Sequence, residues 1–249
     1  MKLTRYKIKN HKNVNLKIAL IADLHHNPYN KIFDILAKEK VDMILLAGDI
    51  MDNINNFDDE WNTKGREFLK QISSFGKTFY SSGNHEIAWY VEKGGRSPNY
   101  IEQPAKDFLK ENDITYLDDE FCEFSDNIFV GGLKSYLCNK EYVVNEQFIK
   151  DFDKLNGYKI LISHHPELYE KYYKNSQLDL VVSGHAHGGQ IRLFGRGLYC
   201  PQQGLFPKYT KGVFGNMIIT TGAGNNVNFP RLFNRREIVI IETSSDKEK

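Results

Sequence analysis

Seven of the eight histidines in this 249-residue sequence stand just after short apolar runs; His11 alone lies elsewhere. The runs end in DLHH, GDIMD, SGNHE, SHHP and SGHAHGG. Asp23 and His25 are two residues apart, and at an extended strand end residues i and i+2 point the same way, so both can reach one ion. Gly48 frees the backbone to turn before Asp49, a carboxylate able to bridge two cations. Asn84 offers a hard carbonyl oxygen, and the adjacent His85 can face a substrate instead of a metal. His164 and His165 are alternatives, one a ligand and the other a hydrogen-bonded structural histidine. His185 and His187 again stand two apart, flanked by glycines that allow close backbone approach.

Alone, D-x-H arises easily by chance, a strand followed by G-D is usually a turn, and GNHE can be a turn with a surface histidine; GHAHGG alone is a fair metal candidate. Five in succession, each at a strand end, are not independent surface features. The mixed Asp, Asn and His donors suit Mn, Fe or Zn better than Ca or a thiolate-held structural Zn. Seven ligands with one bridging carboxylate are enough for two divalent ions and excessive for one. Two such ions form a clamp for in-line displacement at phosphorus.

The elements that must position these groups are legible as apolar runs. Lys17–Ala22, Val41–Ala47, Lys77–Ser81, Tyr158–Ile162 and Leu178–Val182 read as strands buried on both faces. Ile128–Leu133, Met217–Thr221 and Glu237–Glu242 read as further strands. Helical spacing marks Lys31–Lys40, Asp58–Ser74, Gln103–Asn112 and Glu146–Leu155. The pattern predicts an α/β core of β-α-β units in one domain over residues 1–249, with site loops outside the carboxyl ends of the strands.

In order and spacing, D-x-H, GD-x-x-D, GNHE, a later strand-end His and GHAH resemble the calcineurin-like metallophosphoesterase superfamily. The resemblance covers about residues 17–242. GHAHGGQIRL, YCPQQGLFPKYTKGVF and FPRLFNRREIVII look more narrowly like the bacterial YkuE/YaeI-type phosphodiesterase branch. The resemblance implies a four-layer α-β-β-α sandwich. It places Asp23, His25, Asp49 and His187 on one metal, and Asp49, Asn84, His164 and His185 on the other. His164 is preferred to His165 because the family histidine is followed by one residue and then Pro, here Pro166. It further implies phosphate-ester hydrolysis by a hydroxide held between the ions, with His85 serving the leaving oxygen and Asp52 orienting His85. Asn27 stands where the family often has Gly, and its tolerance of the left-handed conformation lets that turn survive. Glu86 replaces a frequent Asp.

A formal charge of +1 predicts no strong overall attraction to nucleic acid or anionic membrane, though it leaves room for a local patch. A nuclease of this superfamily would need a basic groove, and a non-catalytic scaffold would have lost ligands that this chain keeps. Three cysteines without C-x-x-C spacing, no apolar leader and no long apolar run point to a cytoplasmic protein with inert thiols. Between His187 and Asn216, Phe194, Leu198, Tyr199, Leu205, Phe206, Tyr209 and Phe214 are expected to be core. The rival is an apolar lip suited to a lipid- or nucleotide-linked phosphodiester. Arg192, Arg196 and Lys208 either meet the phosphate or are solvated, and the tail SSDKEK is expected to fray.

Overall fold

The computed structural model describes residues 1–55, 60–87, 100–138, 141–200, 203–225 and 229–246. Twelve strands build two sheets. The first six are β1 (Lys2–Asn10), β2 (Leu16–Ile21), β3 (Met43–Ala47), β4 (Lys77–Ser81), β5 (Ile114–Tyr116) and β6 (Glu120–Ser125). The others are β7 (Ile128–Leu133), β8 (Tyr158–Ser163), β9 (Leu180–Ser183), β10 (Gly212–Phe214), β11 (Met217–Ile219) and β12 (Glu237–Ser245). One sheet runs β1-β12-β2-β3-β4-β5 and the other β10-β11-β9-β8-β7-β6. The inner strands are parallel: β2 to β5 in the first sheet, and β7, β8, β9 and β11 in the second. Their carboxyl ends therefore open on one edge, which is where the site loops lie.

Alternation along the strands decides the layers. Ile18, Leu20, Met43, Leu45 and Phe79 face inward against Val130, Ile160, Ile162, Val182 and Ile218 of the second sheet. Ala19, Ile21, Ile44 and Leu46 face outward beneath α1 (Asn30–Glu39), α2 (Thr63–Ile72) and α3 (Gln103–Glu111). Across the molecule, Leu133, Leu161, Val181 and Met217 pack under α4 (Glu146–Asp153) and the π-helical turn Tyr169–Tyr173. These are the four layers of an α-β-β-α sandwich. Both faces of the central strands are covered, so they read as unbroken apolar runs. The short helices begin on local signals: Asn145 Oδ1 accepts from Phe148 N–H at α4, and Pro104 sits in the first turn of α3.

Four strands escape the apolar-run reading because they are half-exposed or short: β1, β5, β6 and β10. The expected helix over Asp58–Ser74 is shorter, with α2 flanked by single 3₁₀ turns at Glu60–Asn62 and Ser73–Phe75; residues 56–59 and the Trp61 side chain lie outside the described residues. The tail SSDKEK is ordered as far as Asp246, whose N–H donates to Asn10 O; residues 247–249 lie outside the described residues. Ser244 and Ser245 belong to β12 and lie opposite Lys9 and Asn10, while Thr243 Oγ1 accepts from Leu16 N–H and donates to Val14 O. Cys200 is buried and its thiol is pushed up to about 12 by that burial, so it is inert; Cys122 is half-buried, and the Cys138 side chain lies outside the described residues.

Truncation after Glu242 removes the end of this ladder and the Thr243 bonds, and should lower stability by about 2–3 kcal/mol. Truncation after Asp246 should change it by less than about 0.5 kcal/mol. Urea unfolding of the two proteins gives the comparison.

Candidate metal centre

The backbone at the strand ends is not extended. Asp23, His25, Asp49, His185 and His187 have φ of 53°, 49°, 55°, 64° and 43°, all in the left-handed region. Such a conformation costs a non-glycine residue roughly 1–2 kcal/mol. The shared direction of Asp23 and His25 thus comes from two left-handed residues in succession around Leu24, not from strand alternation. Asn27 is not left-handed; its Nδ2 instead donates to Leu24 O and Asn225 O.

Cross-loop hydrogen bonds hold these turns. Asp23 N–H donates to Gly48 O and His25 N–H to Asp49 O, both at 3.0 Å. His185 N–H donates to Asp23 Oδ1 at 3.0 Å, and His85 N–H to Asp49 Oδ1 at 2.9 Å. Gly83 passes so close to Asp49 that a Cβ there would stand 2.1 Å from Oδ1. At Gly48, with φ +78°, a Cβ would meet Gly83 N and His164 Nδ1 at 2.5 Å. Beneath both loops the fully buried Glu86 carboxylate accepts N–H from Asp49, Ile50, Met51 and Gly83 at 2.7–3.1 Å, and the Tyr80 hydroxyl.

Two groups of donor atoms result, each within 4.8 Å: Asp23, His25, Asp49 and His187, and Asp49, His164 and His185. Asp49 belongs to both. Asn84 Oδ1 lies 3.2 Å from His164 Nε2, beside the second group. The ring tautomers suit a cation. His164 Nδ1 donates to Ala47 O at 2.7 Å, and His25 Nδ1 to Asp52 Oδ1 at 3.2 Å, so each ring, when neutral, has its lone pair on Nε2. Asp23 Oδ2 and His25 Nε2 are buried without a hydrogen-bond partner, an arrangement that is costly unless something else satisfies them.

Electrostatics agree. Burial would push Asp49 up, yet the His164, His85 and His25 rings hold its carboxyl well below the usual range. Burial and the Asp49 charge raise Asp23. Burial alone would lower His164, but Asp49 raises it to about 10. Protons thus sit where cations could neutralise the same carboxylates.

His187 is held differently. Arg231 Nη2 lies 2.7 Å from its Nδ1, and a guanidinium only donates, so the neutral ring carries its proton on Nε2. Ligation through Nε2 requires Arg231 to release Nδ1. Burial lowers Arg231 to about 10, and the same burial with the Arg231 charge lowers His187.

Asp52 Oδ1 lies 2.7 Å from His85 Nδ1 as well as beside His25, so one carboxylate orients both rings. Burial opposes the charged form of His85, but Asp49 and Asp52 outweigh it and raise the ring to about 9. His165 packs edge-on against His164 and His185, ring centroids 5.0 and 4.6 Å away, with its Nε2 2.6 Å from Ser135 Oγ and its Nδ1 3.4 Å from Glu167 Oε1. Burial and the His185 charge depress it to about 3, so it is neutral. His165, Glu167 and His185 also fall within 4.8 Å, but His165 and Glu167 already face each other there.

Sequence reasoning missed Glu86, Arg231 and the second role of Asp52. Only Glu86 left a signal, as a charged residue between Asn84-His85 and the apolar Ile87. The core expectation for residues 194–214 fails in part. Tyr209 is buried and Phe214 packs beside it, but Phe194, Tyr199, Leu205 and Phe206 are exposed, whereas Leu198 is half-buried. Arg192 is spent on Gly188 O, Gly195 O and Thr210, and Lys208 pairs with Glu170, which leaves Arg196 solvated.

Fold and donor set together are those of a metal-dependent phosphoesterase. The chain belongs to the calcineurin-like phosphoesterase family, whose model matches residues 16–189. An uncharacterized metallophosphoesterase of Helicobacter pylori is 29% identical, over 84% of this chain and 54% of that protein. One from Aquifex aeolicus is 25% identical over 92% and 85%, and phosphodiesterase YaeI of Escherichia coli is 26% identical over 71% and 62%. The chain spans about half the length of the Helicobacter relative it matches.

Two outcomes follow. Glu86→Gln turns an amide NH₂ toward backbone donors and should cost about 2–4 kcal/mol in thermal unfolding, with the fold retained. In protein stripped of ions, His85 is raised from 6.5 to about 9. Its pairing therefore stabilises fully below pH 6.5 and is lost as pH climbs to about 9. Asp52→Asn should flatten the fall in stability across that window, as measured by urea unfolding against pH.

Proposed function

We propose that this protein is a dinuclear metal-dependent phosphodiesterase. The supporting observation is the double membership of Asp49 in two donor groups, beside the buried, unpartnered Asp23 Oδ2 and His25 Nε2. In this reading Asp23, His25, Asp49 and His187 hold one ion, and Asp49, Asn84, His164 and His185 the other, with Mn, Fe or Zn the fitting identities. When bound, such ions neutralise phosphate charge and lower the pKa of water. The diester preference draws on the likeness to the Escherichia coli protein named a phosphodiesterase.

The chain's own residues supply the proton. His85 is a cation at neutral pH, its Nδ1–H fixed on Asp52 at 2.7 Å. The ring can hand a proton from Nε2 to a departing alkoxide and then recover it from solvent. Asp52 keeps its negative charge throughout, since the His25 and His85 hydrogen bonds overcome its burial. It therefore positions the ring without itself taking the proton.

Elemental analysis of reconstituted protein should approach two metals per chain, and Asp49→Ala should lose both tight sites. Retention of two full-affinity ions by that variant would rule out bridging. His85→Ala should keep both metals and slow an alkyl phosphodiester by roughly 10²–10⁴-fold. An aryl diester, whose leaving oxygen hardly needs a proton, should slow far less. Equal slowing of both esters would assign His85 to charge stabilisation instead. A panel of phosphomonoesters, phosphodiesters and pyrophosphates then tests the diester preference directly.

A further inference from the structure

Among the described residues twelve large hydrophobic side chains are exposed, and eight of them fall within 193–206 and 229–233. Phe194 is fully exposed at 105%, Phe233 at 85%, Leu205 at 70% and Phe206 at 69%. The two segments are knitted together. Ile191 bridges Leu232, Arg192 N–H donates to Leu232 O at 3.0 Å, and Phe206 N–H donates to Leu198 O at 2.8 Å. Leu193, Phe194, Leu198 and Phe206 line one shallow depression. The result is one apolar face, anchored to the metal centre by Asn234 Nδ2, which donates to His187 O and Gln190 O.

Backbone conformation makes this face unusual. Phe194, Phe206 and Phe233 have φ of 50°, 53° and 54°. A bulky side chain in the left-handed region is strained, and Gly or Asn would sit there at less cost. With so much of each ring exposed, the aromatic side chains gain little from the fold in return. Three such positions on one face point outward, to something the rings enter.

Charge indicates what that is. Residues 180–236 contain seven Lys or Arg and not one Asp or Glu, although the whole chain carries only +1. The remainder is therefore at −6, since +1 minus +7 is −6. Arg196 and Arg235 are exposed within this segment and form no ion pair among the described residues. Apolar tips with an unpaired arginine two residues along the chain from Phe194 and another two from Phe233 match a bilayer with anionic headgroups, where hydrocarbon burial and charge attraction add. Single-stranded nucleic acid would use the charge and the rings, but not Leu193, Leu205 and Leu232, which cannot stack on bases.

We propose that this face docks the protein peripherally on an anionic membrane surface, with Phe194, Phe206 and Phe233 entering the headgroup boundary. No described helix is long and apolar enough to cross a membrane; insertion of a few side chains at the headgroup boundary is a reversible mode of attachment. Docking does not depend on the phosphoesterase reading: a protein that binds vesicles but hydrolyses nothing would sink that reading and leave this one standing.

The test is co-sedimentation of the ion-loaded protein with vesicles of phosphatidylcholine, with and without phosphatidylglycerol. Binding should require phosphatidylglycerol and weaken with salt. Phe194→Asn with Phe233→Asn should reduce it roughly tenfold, while the melting temperature stays level or rises because Asn tolerates the left-handed turn. Arg196→Glu with Arg235→Glu should remove the phosphatidylglycerol dependence. The proposal is overturned by absence of vesicle binding at low salt, or by binding indifferent to the Asn substitutions. It is equally overturned if light scattering shows a dimer that those substitutions break. A single-stranded oligonucleotide bound in place of vesicles would also overturn it.

Discussion

The site depends on one buried carboxylate that touches no substrate. Glu86 draws the N–H groups of Asp49, Ile50 and Met51 from one strand-end loop and that of Gly83 from the next. An anion inside a protein is expensive unless several donors surround it, and here burial and the Asp49 charge raise the Glu86 pKa against those donors. Full solvation by backbone N–H makes the loops and the carboxylate mutually dependent. Because Asp49 gives its N–H to Glu86, its side chain is turned the other way, where Oδ1 takes the His85 N–H and Oδ2 faces His164 at 3.2 Å. The shared position of Asp49 between the two donor groups follows from that anchoring.

Five left-handed residues around one centre amount to several kcal/mol of local strain, on the order of 1–2 each. The sandwich offsets it. The parallel strands that deliver the loops are buried on both faces; main-chain hydrogen bonds tie the β2 and β3 loops, and His185 N–H donating to Asp23 Oδ1 adds the β9 loop. Strain of this kind fixes side-chain direction more tightly than an unstrained turn would, because the loop has few other conformations in which its cross-links survive. The same device recurs at Phe194, Phe206 and Phe233, where the outward direction has no partner inside the fold.

Asp52 and Arg231 show how the surroundings set the state of each ring. A carboxylate behind His25 and a carbonyl behind His164 put the lone pair of the neutral ring on Nε2, whereas a guanidinium behind His187 does the reverse. Three histidines that look equivalent as donors therefore arrive at the centre in two different proton arrangements.

Sequence by itself named the candidate donors that the fold brings together. Asp, Asn and His at the ends of apolar runs identify the chemistry, because metal ligation is a property of residue type and the runs are buried strands whatever their order. It also located the central strands, β4 and β7 to the residue, since burial on both faces leaves an unmistakable apolar record. Only the tertiary structure decided which strands are neighbours, that β1 pairs with the far terminus, and that Phe194 and Phe206 are surface and not core. Hydrophobicity reports what a side chain prefers, not whether the fold has room for it. Glu86 and Arg231 were hidden for a related reason. Their roles rest on contacts with loops distant in the chain; Arg231 has no local mark of burial, and the one that Glu86 has, its place between His85 and Ile87, does not say what it anchors.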